Sequence, residues 1–181
     1  MIRPSDTKLV LRDCTADDIA EVHAIYAEAV RTGTASFELE PPSLEEMGAR
    51  WQAVREGGYP YLVALSGDRV AGYAYAAAYR ARPAYRGAAE DSVYVHEECR
   101  GLGVGRALMA ELITRCAAAG LRQLIAVIGD SDNHGSIALH RALGFADAGV
   151  LRSVGWKHGR WLDTVMMQLP LGPGDTTPFD A

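Results

Sequence analysis

The sequence predicts a single α/β (α+β) domain in which a central sheet is flanked by helices. Short apolar runs typical of strands recur between segments whose apolar residues have helical spacing. The chain has 181 residues, 49% hydrophobic and 23% charged, which suits one folded core. A glycine-rich stretch at residues 100–105 lies between a strand pattern and a helix pattern, and it is the main guide to function.

The first predicted strand and helix lie near the N-terminus. Residues 8–12 alternate in polarity as a short strand, and Thr15 followed by acidic residues is a typical helix start. One face of the following segment carries residues three and four apart, namely Ile19, Val22, His23, Tyr26 and Val30. This spacing predicts a helix that packs on the sheet.

A polar loop, a second helix and a hairpin follow. Ser43, with two glutamates in the next turn, predicts the second helix start, and residues 61–65 and 70–79 predict a β-hairpin. The loop before this helix carries one large aromatic residue, Phe37. Two interpretations of Phe37 stay open: a plug of the hydrophobic core, or part of the lid of a small-molecule site.

Residues 79–86 form an arginine-rich loop. Arg80 and Arg82 are two residues apart, so an extended chain places them on one side, and Tyr85 follows. One interpretation is a solvated, charged loop. The other is a clamp for an anionic substrate group, because guanidinium pairs well with carboxylate or phosphinate.

A predicted strand over residues 90–95 leads into the glycine-rich stretch. Its residues alternate between two faces, with Glu90, Ser92 and Tyr94 on one and Asp91, Val93 and Val95 on the other. Glu90 begins a strand that runs to a predicted ligand-binding loop, where a general base could reach two substrates. The alternative is an exposed glutamate before a strand. Asp91 is expected to be the acid that faces solvent.

The glycine-rich stretch, Arg100-Gly101-Leu102-Gly103-Val104-Gly105, predicts an anion-binding helix start. Its glycines allow close backbone approach, and a helix beginning near Arg106 presents unpaired N–H groups to a phosphate or pyrophosphate. A P-loop is excluded because Arg106 and Ala107 stand where it needs Lys and Ser or Thr. A dinucleotide fingerprint is excluded because Arg106 also stands where its third glycine should be. A glycine-rich turn without a ligand remains the alternative.

Three elements follow the glycine-rich stretch: a helix over residues 106–119, a strand over residues 123–128 and a helix over residues 133–143. On the last helix Asn133, Ser136 and His140 share one polar face through their three- and four-residue spacing. We expect that face to border a cleft.

Two strands and a tail close the chain. The sequence predicts strands over residues 146–154 and 161–169, joined by a loop at residues 155–160. Residues 172–181 combine prolines, threonines and aspartates and are expected to form a flexible tail. The predicted domain is therefore residues 1–171.

Composition and charge exclude several classes of protein. A net charge of −5 with interspersed signs argues against a nucleic-acid-binding surface or a polybasic membrane anchor. No apolar stretch reaches the ~20 residues needed to cross a bilayer, and no secretion signal is expected at the N-terminus. Cys14, Cys99 and Cys116 lack C-x-x-C spacing, which indicates neither a disulfide framework nor a metal site and fits a reducing cytoplasm.

The order of elements around Arg-x-x-Gly-x-Gly resembles the fold of the GCN5-related N-acetyltransferases (GNAT). Within it, four segments together resemble the phosphinothricin and methionine sulfoximine N-acetyltransferases: residues 34–38, 80–85, 90–95 and 133–145. The resemblance implies a central mixed, mostly antiparallel twisted sheet with a splayed strand pair that holds acetyl-CoA. It also implies a homodimer, with residues 156–161 near the interface.

The resemblance further implies roles for single residues. Acetyl-CoA is expected to contact Val93, Tyr94, Val95, every residue from Arg100 to Arg106, Asn133 and Ser136. Glu90 matches the family's general base, acting through water. His140 stands where many acetyltransferases have a tyrosine that protonates the leaving thiolate, and its role as acid, as assistant in deprotonation or as a structural residue stays open. The substrate-contacting region corresponds to Phe37, Arg80, Arg82 and Tyr85.

The implied reaction moves the acetyl group directly to the α-amino group of phosphinothricin, methionine sulfoximine or methionine sulfone, without a metal. Such an activity implies detoxification and herbicide resistance, and a backbone N–H near Val95 would hold the oxyanion. Two alternatives remain: another acceptor, such as a polyamine or a peptide N-terminus, and a non-catalytic acyl-CoA-binding sensor. The arginine pair argues against a peptide acceptor, and Glu90 with the glycine-rich stretch argues against a sensor.

Overall fold

The structure, a computed structural model, describes residues 9–179. The strands are β1 (Leu9–Asp13), β2 (Tyr61–Ser66), β3 (Arg69–Ala78), β4 (Ala88–Val95), β5 (Gln123–Gly129), β6 (Ala146–Lys157) and β7 (Arg160–Pro170). The helices are α1 (Ile19–Thr32), α2 (Leu44–Glu56), α3 (Val104–Ala118) and α4 (His134–Ala142). The predicted first strand is therefore confirmed from residue 9 onward, while Lys8 lies outside the described residues.

All of these strands belong to one seven-stranded sheet with the order β1-β2-β3-β4-β5-β7-β6. The neighbouring pairs are antiparallel except β4 and β5, which run parallel. The predicted mixed, mostly antiparallel sheet is confirmed. The proposed domain boundary at residue 171 stays a prediction.

The sheet has a different hydrophobic core on each face. On one face α3 packs Leu108 and Leu112 against strand residues such as Leu124. On the other face α1 and α2 pack Val22 and Trp51 against the strands. Side chains that alternate along β4 therefore reach two separate environments.

The predicted start of α2 at Ser43 is confirmed by its hydrogen bond, whereas Thr15 begins a 3-10 turn (Ala16–Asp18) that leads into α1 at Ile19. Ser43 Oγ accepts from the backbone N–H of Glu46 at the start of α2. Before α1, the buried Asp18 carboxylate accepts from the backbone N–H of Thr15 at 2.7 Å and from Arg12 Nη1 and Nη2 at 2.6 and 2.7 Å. The bonds from the backbone N–H groups satisfy donors that a helix start leaves without partners, and the bonds from Arg12 pair the charge of Asp18.

The predicted loop at residues 155–160 is wrong. The strand β6 continues to Lys157 and β7 begins at Arg160, so only His158 and Gly159 form the turn. Both have positive φ, 51° and 74°, as a tight hairpin turn of this kind requires. The helix α3 likewise begins at Val104, two residues before its predicted start.

The C-terminal segment contacts the domain as far as it is described. Arg122 Nη1 donates to the carbonyl of Gly174 and to Thr177 Oγ1, both at 3.0 Å. The Phe179 ring lies under the guanidinium of Arg86 at 5.0 Å. The flexible tail expected at residues 172–181 stays a prediction, and its residues 180 and 181 fall outside the described part of the chain.

Candidate active site

The parallel strands β4 and β5 part at the centre of the sheet. They pair only from Ala88 opposite Gln123 to Asp91 opposite Ala126. Beyond that point β4 remains bonded to β3, as the bond from His96 N–H to Ala71 carbonyl at 2.9 Å illustrates. Since backbone groups alternate in direction along a strand, Val93 and Val95 turn their N–H and C=O groups toward the gap. We call this gap the notch.

The glycine-rich stretch lies at the open end of the notch. Gly103 has φ of 82°, a left-handed conformation that glycine adopts without strain, and it is the N-cap of α3. In the described structure no side chain caps this helix start, so its first N–H groups point outward. With the positive end of the helix dipole, they form a site suited to a phosphate group.

A cavity of about 810 Å³ connects the notch with this helix start. Its wall includes the residues expected to contact acetyl-CoA, namely Val93, Tyr94, Val95, Arg100, Gly101, Gly103, Val104, Gly105, Arg106, Asn133 and Ser136. Leu102 is the exception: it is absent from the lining and 48% exposed. The expected contact through Leu102 therefore finds no support in the cavity wall.

The start of α4 forms one side of the cavity. Asn133 caps this helix, because its Oδ1 accepts from the backbone N–H of Ser136 at 3.3 Å. Its Nδ2 donates to the Gly129 carbonyl at 3.4 Å, which ties the helix to the end of β5. Asn133 and Ser136 thus face the cavity from a fixed helix start.

Glu90 lies on the face of β4 that looks toward α1 and α2. It is half-buried, and burial raises the pKa of its carboxyl; the charge of Asp91 adds to this rise and Arg80 opposes it. A carboxylate whose pKa is raised toward neutrality is a better proton acceptor. Neither the exposed glutamate considered from the sequence nor a fully buried acid describes this side chain.

Asp91 is not the solvent-facing acid that the sequence analysis expected. It is 6% exposed, and its Oδ1 lies 2.9 Å from Nε2 of His140, which is 2% exposed. Alternation along β4 puts Asp91 on the face shared with Val93 and Val95, whose apolar character indicated burial. That pattern could have corrected the expectation.

The two predicted catalytic residues therefore lie on opposite faces of β4. Glu90 lies on the side of α1 and α2, whereas His140 bonds Asp91 on the side of α3. His140 is absent from the lining of the large cavity. A smaller cavity of about 50 Å³ at the inner end of the notch is lined by His140, Asp91 and Ser136, among others.

The predicted acceptor residues lie beyond the lining of the large cavity. Phe37 is 37% exposed and packs so closely on Gly155 of β6 that a Cβ there would clash with its ring. Arg80 and Arg82 are exposed, and the Arg80 guanidinium lies 5.1 Å from the centre of the Tyr79 ring. Tyr85 is also exposed, at 40%. Their predicted roles in substrate binding stay predictions.

Comparison with known proteins identifies the family to which this fold and this cavity belong. The model of the acetyltransferase (GNAT) family matches residues 21–145. The chain belongs to this family. It is 54% identical to a phosphinothricin N-acetyltransferase of Alcaligenes faecalis, over 98% of this chain and 88% of that protein. It is 41% identical to an L-methionine sulfoximine/L-methionine sulfone acetyltransferase of Pseudomonas paraeruginosa, over 93% of this chain and 98% of that protein.

A solved GNAT structure has the same fold. It is a phosphinothricin acetyltransferase of Sinorhizobium meliloti in complex with acetyl-CoA, with a TM-score of 0.92 and 50% identity. The match covers 95% of this chain and 93% of that one. The fold and the family inferred from the sequence are therefore confirmed.

Sequence reasoning missed the contacts that fix the loop before α2 in this acetyltransferase. Lys157, although 4% exposed, donates from Nζ to the Ser36 carbonyl at 2.8 Å, and burial lowers its pKa. Thr34 Oγ1 donates to the buried Asp130 at 2.9 Å, and Arg160 pairs with the same carboxylate. No sequence pattern signals these contacts, because they join residues far apart in the chain.

Between residues 9 and 179, no helix is long and apolar enough to cross a membrane. In the same part of the chain, no cluster of three or more His, Cys, Asp and Glu side chains is arranged to hold a metal ion.

Proposed function

We propose that the protein transfers the acetyl group of acetyl-CoA to the α-amino group of phosphinothricin, methionine sulfoximine or methionine sulfone. The observation that supports acetyl-CoA as the donor is the edge of β4 that lies unpaired beyond Asp91, beside the uncapped start of α3. The acceptor class is supported by the names of relatives that are 54% and 41% identical.

In this proposal acetyl-CoA lies along the cavity wall. The N–H groups at the start of α3 bind its pyrophosphate. The pantetheine arm pairs with the backbone groups that Val93 and Val95 turn toward the notch, as an added strand does, and Asn133 contacts the arm from the other side. For the Val95 carbonyl it replaces the hydrogen bond that Arg100 Nε donates there at 3.4 Å. A backbone N–H near Val95 holds the oxyanion that forms when the amine attacks the thioester carbonyl.

Glu90 is the proposed general base. The acceptor arrives as an ammonium ion and must lose a proton before its lone pair can attack. The raised pKa of Glu90 suits this task, and a water molecule can carry the proton between them. Phe37, Arg80, Arg82 and Tyr85 are the proposed acceptor-binding residues, with the two arginines binding the anionic group.

The test is thiol release from acetyl-CoA with phosphinothricin, methionine sulfoximine and a polyamine as parallel acceptors. We expect turnover with the first two and little with the polyamine. The variant Glu90→Gln should lower kcat by about 10²–10⁴-fold with little change in acetyl-CoA binding, because it keeps the shape and loses the base. Glu56→Gln, at an exposed position on α2, is the matched control.

Other outcomes would redirect the proposal. Turnover with the polyamine alone would contradict the acceptor class. Acetyl-CoA binding without transfer to any of the three, or to a peptide N-terminus, would indicate a sensor. Unchanged turnover in Glu90→Gln would remove Glu90 from the role of base.

We also propose a homodimer formed through the outer hairpin of the sheet. The edge strand β6 and its partner β7 expose large apolar side chains between 41% and 61%, namely Val150, Leu151, Val154, Trp156 and Trp161. An edge strand with an apolar surface is a natural site for a second copy of the chain. Sedimentation of Leu151→Asp should give half the mass of the wild type. Val10→Asp, at the opposite edge of the sheet, should not.

The proposed setting is the cytoplasm, where acetyl-CoA is made and the buried free thiols of Cys14, Cys99 and Cys116 stay reduced. There the activity would detoxify phosphinothricin and so give resistance to it as a herbicide. Growth of expressing cells on the compound, compared with cells that carry Glu90→Gln, tests this.

A further inference from the structure

A chain of polar contacts runs from the inner end of the notch to the cavity wall. Asp91 Oδ1 lies 2.9 Å from His140 Nε2. On the other side of the imidazole, His140 Nδ1 lies 2.8 Å from the Ser136 carbonyl and 3.3 Å from Ser136 Oγ. The first two side chains are buried, whereas Ser136 lines the large cavity. The contacts therefore link a buried carboxyl to a hydroxyl at the proposed acetyl-CoA site.

The contacts fix the direction of the hydrogen bonds. A carbonyl oxygen only accepts, so His140 Nδ1 must carry a proton and donate it toward Ser136. The same N–H reaches Ser136 Oγ, which accepts it with a lone pair. The hydroxyl proton of Ser136 is then left to point away from His140, toward the cavity.

The buried end of this series of contacts, at Asp91, favours binding of a proton. Asp91 Oδ2 is buried and has no hydrogen-bond partner among the described residues. A carboxylate in this position is costly unless a positive charge or a proton compensates it. One proton shared between Asp91 Oδ1 and His140 Nε2 keeps the pair neutral.

We propose that Ser136 is the acid that protonates the leaving thiolate. His140 and Asp91 are positioning residues that orient the Ser136 hydroxyl and return a proton to it. The inference rests on the proposed acetyl transfer. Both ring nitrogens of His140 already have hydrogen-bond partners, which argues against direct protonation of the sulfur by the imidazole.

The protons balance over one turnover. As the C–S bond breaks, its electron pair goes to sulfur, and the thiolate takes the Ser136 Oγ proton. Ser136 Oγ takes the Nδ1 proton of His140, which leaves a neutral imidazole beside the Asp91 carboxylate. We call Asp91, His140 and Ser136 the relay. The acceptor ammonium loses two protons in forming the amide: one returns through solvent to the relay and replaces the proton it gave up, and the other is released.

The groups around the pair determine the expected pH dependence. Burial would lower the pKa of His140, but the hydrogen bond and charge of Asp91 outweigh it and raise the pKa. Burial also raises the pKa of Asp91, against the hydrogen bond from His140. The other titratable groups close to the pair are Glu90 on β4 and Cys116 on α3. The relay is therefore protonated below the raised pKa of His140, and kcat should fall as the pH rises through it.

The first test compares Ser136→Ala with Ser136→Thr in the full-length protein, with acetyl-CoA and phosphinothricin. Ser136→Ala should lower kcat by about 10–100-fold and change KM for acetyl-CoA less than about twofold, because a thiol leaves with modest assistance. Ser136→Thr keeps a hydroxyl and should restore most of the rate. A kcat within about twofold of the wild type in Ser136→Ala would overturn the proposal.

The second test uses Asp91→Asn, which keeps the size of the side chain and a hydrogen bond to His140. The falling limb of the kcat–pH profile should move to lower pH, because the charge that raises the pKa of His140 is gone. The variant that combines it with Ser136→Ala should be no slower than Ser136→Ala alone, since the residues act as one chain. A rise in KM alone, or additive losses, would mean that Asp91 only anchors α4.

A measurement without turnover separates this proposal from the proposed function. ¹⁵N chemical shifts of His140 in the free enzyme should report a protonated Nδ1 and a pKa that falls in Asp91→Asn. An unprotonated Nδ1 would overturn the relay even if the enzyme acetylates every acceptor. Absence of acetyl transfer in the wild type, with these shifts as expected, would overturn the proposed reaction and with it the assignment of Ser136 as its acid.

Discussion

Removing the hydrogen bond between Tyr26 and Ser36 should loosen the loop between α1 and α2. Tyr26 OH and Ser36 Oγ lie 2.9 Å apart, and the two residues are 8% and 7% exposed. Ser36 Oγ also accepts from the backbone N–H of Glu38 at 3.2 Å. Thr34 and Ala35 of the same loop line the large cavity, so the bond connects stability with the proposed acetyl-CoA site.

The expected costs differ between the two single variants. Tyr26→Phe leaves Ser36 Oγ with its second partner, so it should cost about 1 kcal/mol. Ser36→Ala leaves the buried hydroxyl of Tyr26 and the N–H of Glu38 without their partner, so it should cost about 1–3 kcal/mol. The double variant has no stranded tyrosine hydroxyl, and its cost should fall short of the sum by about 1 kcal/mol.

Urea unfolding of the four proteins measures this coupling, provided that the m values agree. Tyr59→Phe is the control: within the described residues its hydroxyl has no hydrogen bond, and its cost should stay below about 0.5 kcal/mol. If the loop transmits the whole cost of Tyr26→Phe, about 1 kcal/mol, to ligand binding, Kd for acetyl-CoA rises about fivefold in that variant. Additive costs, within about 0.3 kcal/mol, would refute the reasoning.

Three further predictions concern the acceptor side and the helix start. Arg80→Ala and Arg82→Ala should each raise KM for phosphinothricin about tenfold and leave KM for acetyl-CoA unchanged; if neither does, the clamp is wrong. Gly155→Val should displace Phe37 and raise the acceptor KM, whereas an unchanged KM would place Phe37 outside the acceptor site. The hydrogen bond from a neighbouring guanidinium lowers the pKa of Asp18, so its stabilisation is present above the unfolded pKa and lost as pH falls through the folded one. Asp18→Asn should cost about 1–3 kcal/mol at neutral pH and flatten the acid limb of stability in urea; an unchanged limb would contradict it.

Local features of the fold could be predicted from the sequence. The helix starts at Thr15 and Ser43 depend on hydrogen bonds within a few residues, and the structure contains them. The glycine-rich stretch also acts locally, since Gly103 sets the chain direction into α3. Such signals stay readable because tertiary contacts reinforce them.

Contacts between distant segments could not be predicted in the same way. The pairing of Asp91 with His140 joins β4 to α4, and only the apolar neighbours on the same face hinted at burial. The two-residue turn at His158 and Gly159 was missed because a histidine signals a positive φ only weakly, although the glycine was a usable signal. The contact between Lys157 and the loop before α2 likewise joins segments that are far apart in the chain.

Because side chains alternate between the two faces of β4, the site is sensitive to the register of this strand. Glu90 and Asp91 are neighbours in sequence, yet alternation along β4 puts Glu90 on the face with Tyr94 and Asp91 on the face with Val93 and Val95. Inserting one residue at the start of this strand, before Glu90, would move each of the two acids to the opposite face of the sheet. Insertions or deletions there should therefore abolish activity even when the protein still folds. By contrast, the exposed arginine-rich loop at residues 79–86, which precedes the strand, tolerates changes of length. In the proposed function, new acceptor preferences would arise in that loop, at the opposite end of β4 from the backbone groups proposed to bind acetyl-CoA.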